Sequence, residues 1–307
     1  MKTILKTEAL SHRYGASWAI RDINIEIASR GIVGLLGSNG AGKSTTMNII
    51  CGVLNQTEGT VYIDGVDIRK EPELAKRKIG FLPQNPPVYN DLTVDEYLQY
   101  AAELRLIPKN EIKKAVEEAK EKVGITHFSS RLIGNLSGGY RQRVGIAQAI
   151  IHKPELVVMD EPTNGLDPNQ LIEARKLIQE IGAERAVLLS SHVLPEINHL
   201  CNDIIMIESG RVIFSDTMEA FNSYADTTSL FVRLENPPTP QELQRIRGVE
   251  NVEAIGSKEF RVFFNGDKSV SESIVESAVQ NGWQLREISF EKGGLDEIFK
   301  QLSKQHS

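Results

Sequence analysis

Hydrophobic positions along the chain fall into two rhythms. Continuous apolar runs of strand length, at residues 31–36, 156–159 and 186–191, alternate with segments of helical period. That alternation belongs to an α/β domain with a largely parallel sheet buried on both faces. Near the start the period shortens to two. Ile23, Ile25 and Ile27 alternate with polar residues, and Thr60, Val61, Tyr62 and Ile63 run into the turn pair Asp64-Gly65, which predicts a small antiparallel sheet beside the main one. Residues 92 to about 151 read as a helical insert. There Thr93 can cap a helix with Asp95 and Glu96 in its first turn, and residues 110–123 form a second amphipathic helix closed by Gly124.

After Phe221 the pattern starts afresh. Residues 229–235 are strand-like, 240–247 helical, 249–255 and 259–264 strand-like, 269–281 helical and 283–290 strand-like, and residues 294–302 would add a terminal helix. The order β-α-β-β-α-β is the ferredoxin-like one, so two domains are expected, 1–222 and 228–307. The second contains no ligand motif. Its apolar Phe260, Val262, Phe263, Phe264 and Trp283 suggest either a stabilising appendage or a dimer contact or regulatory surface.

Composition narrows the class. At 307 residues, 40% hydrophobic and 25% charged, the chain is globular and long enough for two compact domains. Its apolar runs fall far short of the roughly 18–20 residues that cross a bilayer, so this chain alone is expected to cross no membrane. Lys2, Lys6 and Glu8 stand where a signal peptide would be apolar, which predicts a cytoplasmic protein. Cys51 and Cys201 lie in apolar stretches without metal-ligand spacing and read as small core residues. A net charge of -6 argues against a nucleic-acid partner held by a broad basic face.

The strongest chemical signal follows the first buried strand. Gly37, Ser38, Asn39, Gly40, Ala41, Gly42, Lys43, Ser44 and Thr45 form a complete phosphate loop that opens a helix ending near Gly52. The glycines allow backbone N–H groups to turn inward onto phosphates, and the helix presents its positive end. Lys43 would reach the β- and γ-phosphates of a nucleotide, and the Ser44 hydroxyl would ligate Mg²⁺. The strand at 156–159 ends in Asp160 and Glu161, at the edge where parallel sheets bind ligands. Beside a phosphate loop, Asp160 would hold the magnesium and Glu161 would orient or deprotonate the attacking water.

Leu136, Ser137, Gly138, Gly139, Tyr140, Arg141, Gln142 and Arg143 narrow the family. Ser137 can cap a helix over residues 140–151, with Gly138 and Gly139 leaving its first amides uncovered. This segment resembles the signature of ABC ATPases, and further landmarks fall in that family's order. Tyr14 resembles the aromatic residue that stacks on adenine, and Gln84 the glutamine that contacts magnesium. Asn164, Gly165, Leu166 and Asp167 resemble the loop that reaches the partner subunit, and His192 the histidine that touches the γ-phosphate. Each also has a plain structural reading: core aromatic, surface amide, turn former, strand-end histidine.

The resemblance implies a P-loop NTPase core of the ABC type, with its small antiparallel β subdomain and helical insert, followed by a small α+β ferredoxin-like C-terminal domain. It implies ATP and Mg²⁺ as cofactors, with GTP tolerated by stacking on Tyr14. Two such subunits, identical or related, would close head to tail, burying ATP between one phosphate loop and the other's Ser137, Gly138 and Gly139. Residues 85–94, with Val88, Tyr89 and Leu92, resemble the region that receives a helix of a separate transmembrane permease. The protein would then sit on the inner face of the cell membrane, and Tyr140 with the C-terminal extension resembles the branch serving ABC-2-type exporters. A soluble ABC protein of translation or DNA repair fits less well, because there is one phosphate loop and no long heptad run. An inactive binding module conflicts with Lys43, Asp160, Glu161 and His192 all being present.

Overall fold

The computed structural model describes residues 2–28, 30–224 and 229–291. The chain divides into two compact units, Met1–Met218 and Glu219–Ser307. The first begins β1 (Thr3–Tyr14), β2 (Ser17–Ala28), β3 (Gly31–Leu36), α1 (Lys43–Ile50), β4 (Glu58–Ile63), β5 (Val66–Asp67), α2 (Pro72–Arg77) and β6 (Ile79–Leu82). Three helices follow, α3 (Val94–Leu104), α4 (Lys109–Val123) and α5 (Gly138–Ile150), with two short 3-10 turns before the last. The unit then runs β7 (Leu156–Asp160), α6 (Pro168–Glu184), β8 (Ala186–Ser191), α7 (Leu194–Leu200), β9 (Asp203–Glu208) and β10 (Arg211–Thr217).

The two strand rhythms produce two sheets. The alternating strands form an antiparallel sheet in the order β2-β1-β4-β5, whose last hairpin turns through Asp64 and Gly65, both at positive φ. Two positive φ values in succession suit an Asx-Gly pair and match the twist of the strands. The continuously apolar strands form the six-stranded sheet β10-β9-β3-β8-β7-β6, parallel from β9 to β6 with β10 antiparallel on its edge. Every residue of β7 and β8 is buried, as a parallel sheet covered on both faces requires. Residues from both sheets share one apolar core around Leu5, Leu35, Met47 and Val158. Cys51 and Cys201 are buried, and burial holds the Cys201 thiol up at about 12.

The helical insert is set by local signals. Thr93 and Glu96 form a reciprocal capping box at the start of α3, and α4 ends at Gly124 in the left-handed conformation. Between them, the ammonium of Lys120, 1% exposed, donates to Asp95 Oδ1, Glu117 Oε1 and Ser129 Oγ at 2.6–2.9 Å, so all three of its protons are used.

The second unit opens within α8 (Met218–Tyr224) and continues β11 (Ser229–Leu234), α9 (Pro240–Gln244), β12 (Val249–Ala254), β13 (Glu259–Phe264), α10 (Val270–Gln280) and β14 (Leu285–Glu291). Its sheet order is β12-β13-β11-β14 with every pairing antiparallel, the ferredoxin-like arrangement expected from the sequence. The expected helix at 294–302 lies outside the described residues. Of the apolar residues singled out in the sequence, Phe260, Val262 and Phe264 are 3%, 0% and 3% exposed and fill the unit's own interior, Trp283 packs partly buried on the same core, and Phe263 is half-buried.

Candidate functional site

Three parallel strands, β6, β7 and β8, end at the same edge of the main sheet, and the loop after β3 opens there too. Gln84 follows β6, Asp160 and Glu161 terminate β7, His192 follows β8, and the phosphate loop spans Gly37 to Gly42. Parallel pairing brings residues far apart in sequence to one crevice. A cavity of about 460 Å³ lies at this edge, lined by Asn39, Gly40, Gly42, Lys43, Ser44 and Thr45 of the loop with Gln84, Glu161, Asn164 and His192.

Glycine is required at two loop positions. Gly42 has φ 110°, and a Cβ there would stand 2.5 Å from Ile20 Cγ2; a Cβ on Gly37 would stand 2.4 Å from Ile207 O. The loop is therefore held close against β2 and β9. Lys43 is buried and donates from Nζ to Gly37 O at 2.8 Å and Ser38 O at 3.0 Å. Burial lowers its pKa below the ordinary lysine value, opposed by the nearby carboxylates of Glu161, Asp160 and Glu208. Glu208 also accepts from Ser38 Oγ at 2.9 Å, which ties the loop to the end of β9.

Glu161 is the centre of the opposite wall. Its carboxylate accepts from Gln84 Nε2 at 3.3 Å and Asn164 Nδ2 at 3.2 Å on one oxygen, and lies 2.9 Å from His192 Nδ1 on the other. Its backbone is left-handed, φ 48°, which is unusual for a residue with a Cβ and concentrates at functional turns. Asp160, just before it, is 6% exposed, and its Oδ1 accepts from Ser190 Oγ. Ser44 and Asp160 offer oxygen donors, as does the amide of Gln84. Such a hard donor set fits a magnesium ion.

Ser137, Gly138, Gly139, Asp167 and Tyr14 do not line this cavity. Ser137 occupies the N-cap of α5, which starts at Gly138, earlier than the expected Tyr140; the Ser137 side chain makes no capping bond and is exposed. The predicted cap is thus positional only. A Cβ on Gly138 would meet nothing within 4 Å, whereas one on Gly139 would meet Gln170 at 2.6 Å, so the first glycine faces open space and the second packs against α6. Gly138 lines a separate cavity of about 370 Å³ with Val88, Arg141 and Leu166, and that cavity shares Gln84 and Asn164 with the first. Asp167 caps α6, with Oδ1 accepting from Asn169 N and Gln170 N at 3.0 and 2.9 Å. Tyr14 is 57% exposed at the β1–β2 hairpin, edge-on to His12.

Several residues at the site carry no motif of their own. In the sequence Asn164 stands out only as part of a loop, and Gln142 only as part of the signature. Gln142 proves buried, donating to Pro162 O at 3.0 Å, and so ties α5 to the turn after Glu161. Ser190 and Glu208 are polar residues at the ends of apolar strands, and that interruption is the one sequence signal that marks them.

A groove of about 690 Å³ lies against α2 and α3, lined by Tyr89, Tyr97, Tyr100, Leu104, Arg105 and Leu106 among others. Tyr89 stands edge-on to Tyr97 and Tyr100, at 6.2 and 5.9 Å between ring centroids. Burial raises the Tyr97 hydroxyl to about 12, and that hydroxyl donates to Pro87 O at 3.3 Å.

Known proteins share this architecture. The family model described as "ABC transporter" matches residues 20–164. The linearmycin resistance ATP-binding protein LnrL of Bacillus subtilis is 31% identical over 98% of both chains. The bacitracin transport ATP-binding protein BcrA of Bacillus licheniformis is 39% identical over 69% of both chains. Among solved structures, the dimeric ATP-binding cassette MJ0796, in a post-hydrolysis state with ADP and Pi, superposes with a TM-score of 0.63 at 25% identity, over 70% of this chain and 99% of that one. The chain belongs to the ABC transporter ATP-binding proteins, and it is an ATP-binding, ATP-hydrolysing subunit that drives a transporter.

Proposed function

We propose that this subunit powers an ABC-2-type exporter by closing head to tail on a second ATPase subunit, with each ATP held between one subunit's phosphate loop and the other's Ser137, Gly138 and Gly139. The observation that carries the reading is the convergence of Gln84, Asn164 and His192 on the Glu161 carboxylate, across the cavity from Lys43. Lys43 and the loop amides bind the phosphates. Ser44, Asp160 and Gln84 would hold Mg²⁺, which would supply positive charge to offset that of the phosphates. Glu161 accepts a proton from the attacking water, and His192, within bonding distance of Glu161, orients the water and the γ-phosphate. Tyr14, exposed at its hairpin, stacks on the adenine.

The exposed Ser137 hydroxyl and the open face of Gly138 support a role at the other subunit's nucleotide, where uncovered helix-end amides meet a γ-phosphate. Asp167 caps its own helix and shapes the loop that faces the partner. Loss of the γ-phosphate removes the charge bridging the halves, so hydrolysis opens the pair. The tyrosine-lined groove is the docking place for a helix of a separate transmembrane permease, which puts the subunit on the inner face of the membrane. Both named relatives, described as serving linearmycin resistance and bacitracin transport, support the exporter branch. The test is purification from detergent-solubilised membranes. A multi-span protein should co-purify with the wild type and be lost when Tyr89 and Tyr100 are changed to glutamate; purification of the intact chain free of any membrane protein contradicts the reading.

A further inference from the structure

We infer that Ser190 is the positioning residue for both acids of the site, setting the orientation of Asp160 and the backbone turn that aims Glu161. Ser190 is 0% exposed, inside a strand that is otherwise apolar up to that point. A hydroxyl removed from water in this way must be bonded. It makes two bonds, one to the last residue of β7 and one to the residue after it: Oγ donates to Asp160 Oδ1 and accepts from Glu161 N at 2.9 Å.

The register explains the arrangement. Asp160 and Ser190 are Cα partners in the last pair of the β7–β8 ladder. One residue later the ladder has ended, so the Glu161 amide needs an acceptor other than a ladder carbonyl. The serine side chain is that acceptor. The same oxygen, by engaging Oδ1 of Asp160, leaves Oδ2 as the unshared oxygen of that carboxylate. One buried atom therefore couples the orientation of the cation-holding acid to that of the water-activating acid. The Ser191 hydroxyl next to it serves another purpose, since it bonds Glu196 Oε2 at 3.2 Å and accepts from Val193 N at 3.0 Å.

The inference rests on the roles proposed for Asp160 and Glu161, so the experiment separates the two. In the full-length protein, Ser190→Ala, Ser190→Thr and Glu161→Gln are compared for ATP turnover, for ATP affinity by calorimetry with and without Mg²⁺, and for thermal unfolding. Misplacing a metal-holding carboxylate costs about 10- to 100-fold. Ser190→Ala should therefore lose about that much in kcat, and Mg²⁺ should no longer raise its ATP affinity as in the wild type, while its affinity without Mg²⁺ stays within about twofold. Ser190→Thr, which keeps the hydroxyl, should restore both. Wild-type kcat in Ser190→Ala overturns the inference, as does an equal loss of ATP affinity with and without Mg²⁺, or a Ser190→Thr protein that binds ATP normally yet is not restored. Undiminished turnover in Glu161→Gln would instead overturn the role of Glu161, whatever the serine variants do.

Discussion

His192 Nδ1 and Glu161 Oε1 stand 2.9 Å apart at the ends of two neighbouring parallel strands, β8 and β7. This pairing joins a residue that follows one strand to a residue that follows the next, and it faces the phosphate loop across the cavity. If His192 orients the water and the γ-phosphate, its removal affects the chemical step more than binding. His192→Ala should lower kcat by on the order of 100-fold, the typical range for a positioned acid–base group. Steady-state phosphate release together with calorimetric ATP titration checks the split; a loss confined to affinity would contradict it.

Lys43 gives a pH dependence with a defined sign. Burial lowers its folded pKa, so the folded protein binds this proton less tightly than the unfolded chain. The cost of the buried charge is fully present below the lowered value, and it disappears as pH rises through that value toward the ordinary lysine range. ATP favours the charged form. Affinity should therefore hold at neutral pH and fall in the alkaline range, beginning below the pKa of a free lysine. Lys43→Ala should lose on the order of 10- to 100-fold in ATP affinity, since a hydrogen bond to a charged group contributes about 1.5–3 kcal/mol. Titrations of wild type and variant from neutral to alkaline pH give both numbers.

The helical insert depends on its caps. Thr93→Ala removes the hydroxyl that accepts from Glu96 N, while the backbone N–H at 93 can still donate to the Glu96 carboxylate, and should lower stability by about 1 kcal/mol. Denaturant unfolding reads the loss, and ATP turnover of the isolated protein should stay unchanged.

Asp167 carries two assignments that one substitution separates. Asparagine caps helices as well as aspartate does, so Asp167→Asn should keep the stability of α6. If the loop also meets the partner through its charge, the same variant should weaken ATP-dependent dimerisation. Thermal unfolding and analytical ultracentrifugation measure the two effects separately.

The strands that carry the site were legible because each is short, apolar and bounded. The runs at 31–36 and 186–191 coincide with β3 and β8. The Thr93 cap and the Gly124 stop were legible because helix ends use few residue types. Ser190 was not, since its role depends on which strand lies beside β8 and in what register, and neither is written in local sequence. The left-handed turn at Glu161 escaped for a related reason, because no glycine marks it. The cap expected from Ser137 failed because the serine stands at the right position with its side chain turned to solvent, a rotamer choice that spacing cannot reveal. In the second unit, alternation along β13 places Phe260, Val262 and Phe264 on the face that α9 and α10 cover.

The central claim is that Glu161 drives hydrolysis in a pair of subunits closed on ATP. Glu161→Gln keeps the size and most of the hydrogen bonding of the side chain but cannot take a proton, so it separates binding from chemistry. Size-exclusion chromatography of this variant with Mg-ATP, with phosphate release measured on the same samples, tests the claim most directly. The prediction is a stable dimer with ATP, a monomer with ADP, and turnover reduced by at least about 100-fold. A variant that turns over ATP at the wild-type rate, or that remains monomeric while binding ATP, would contradict it.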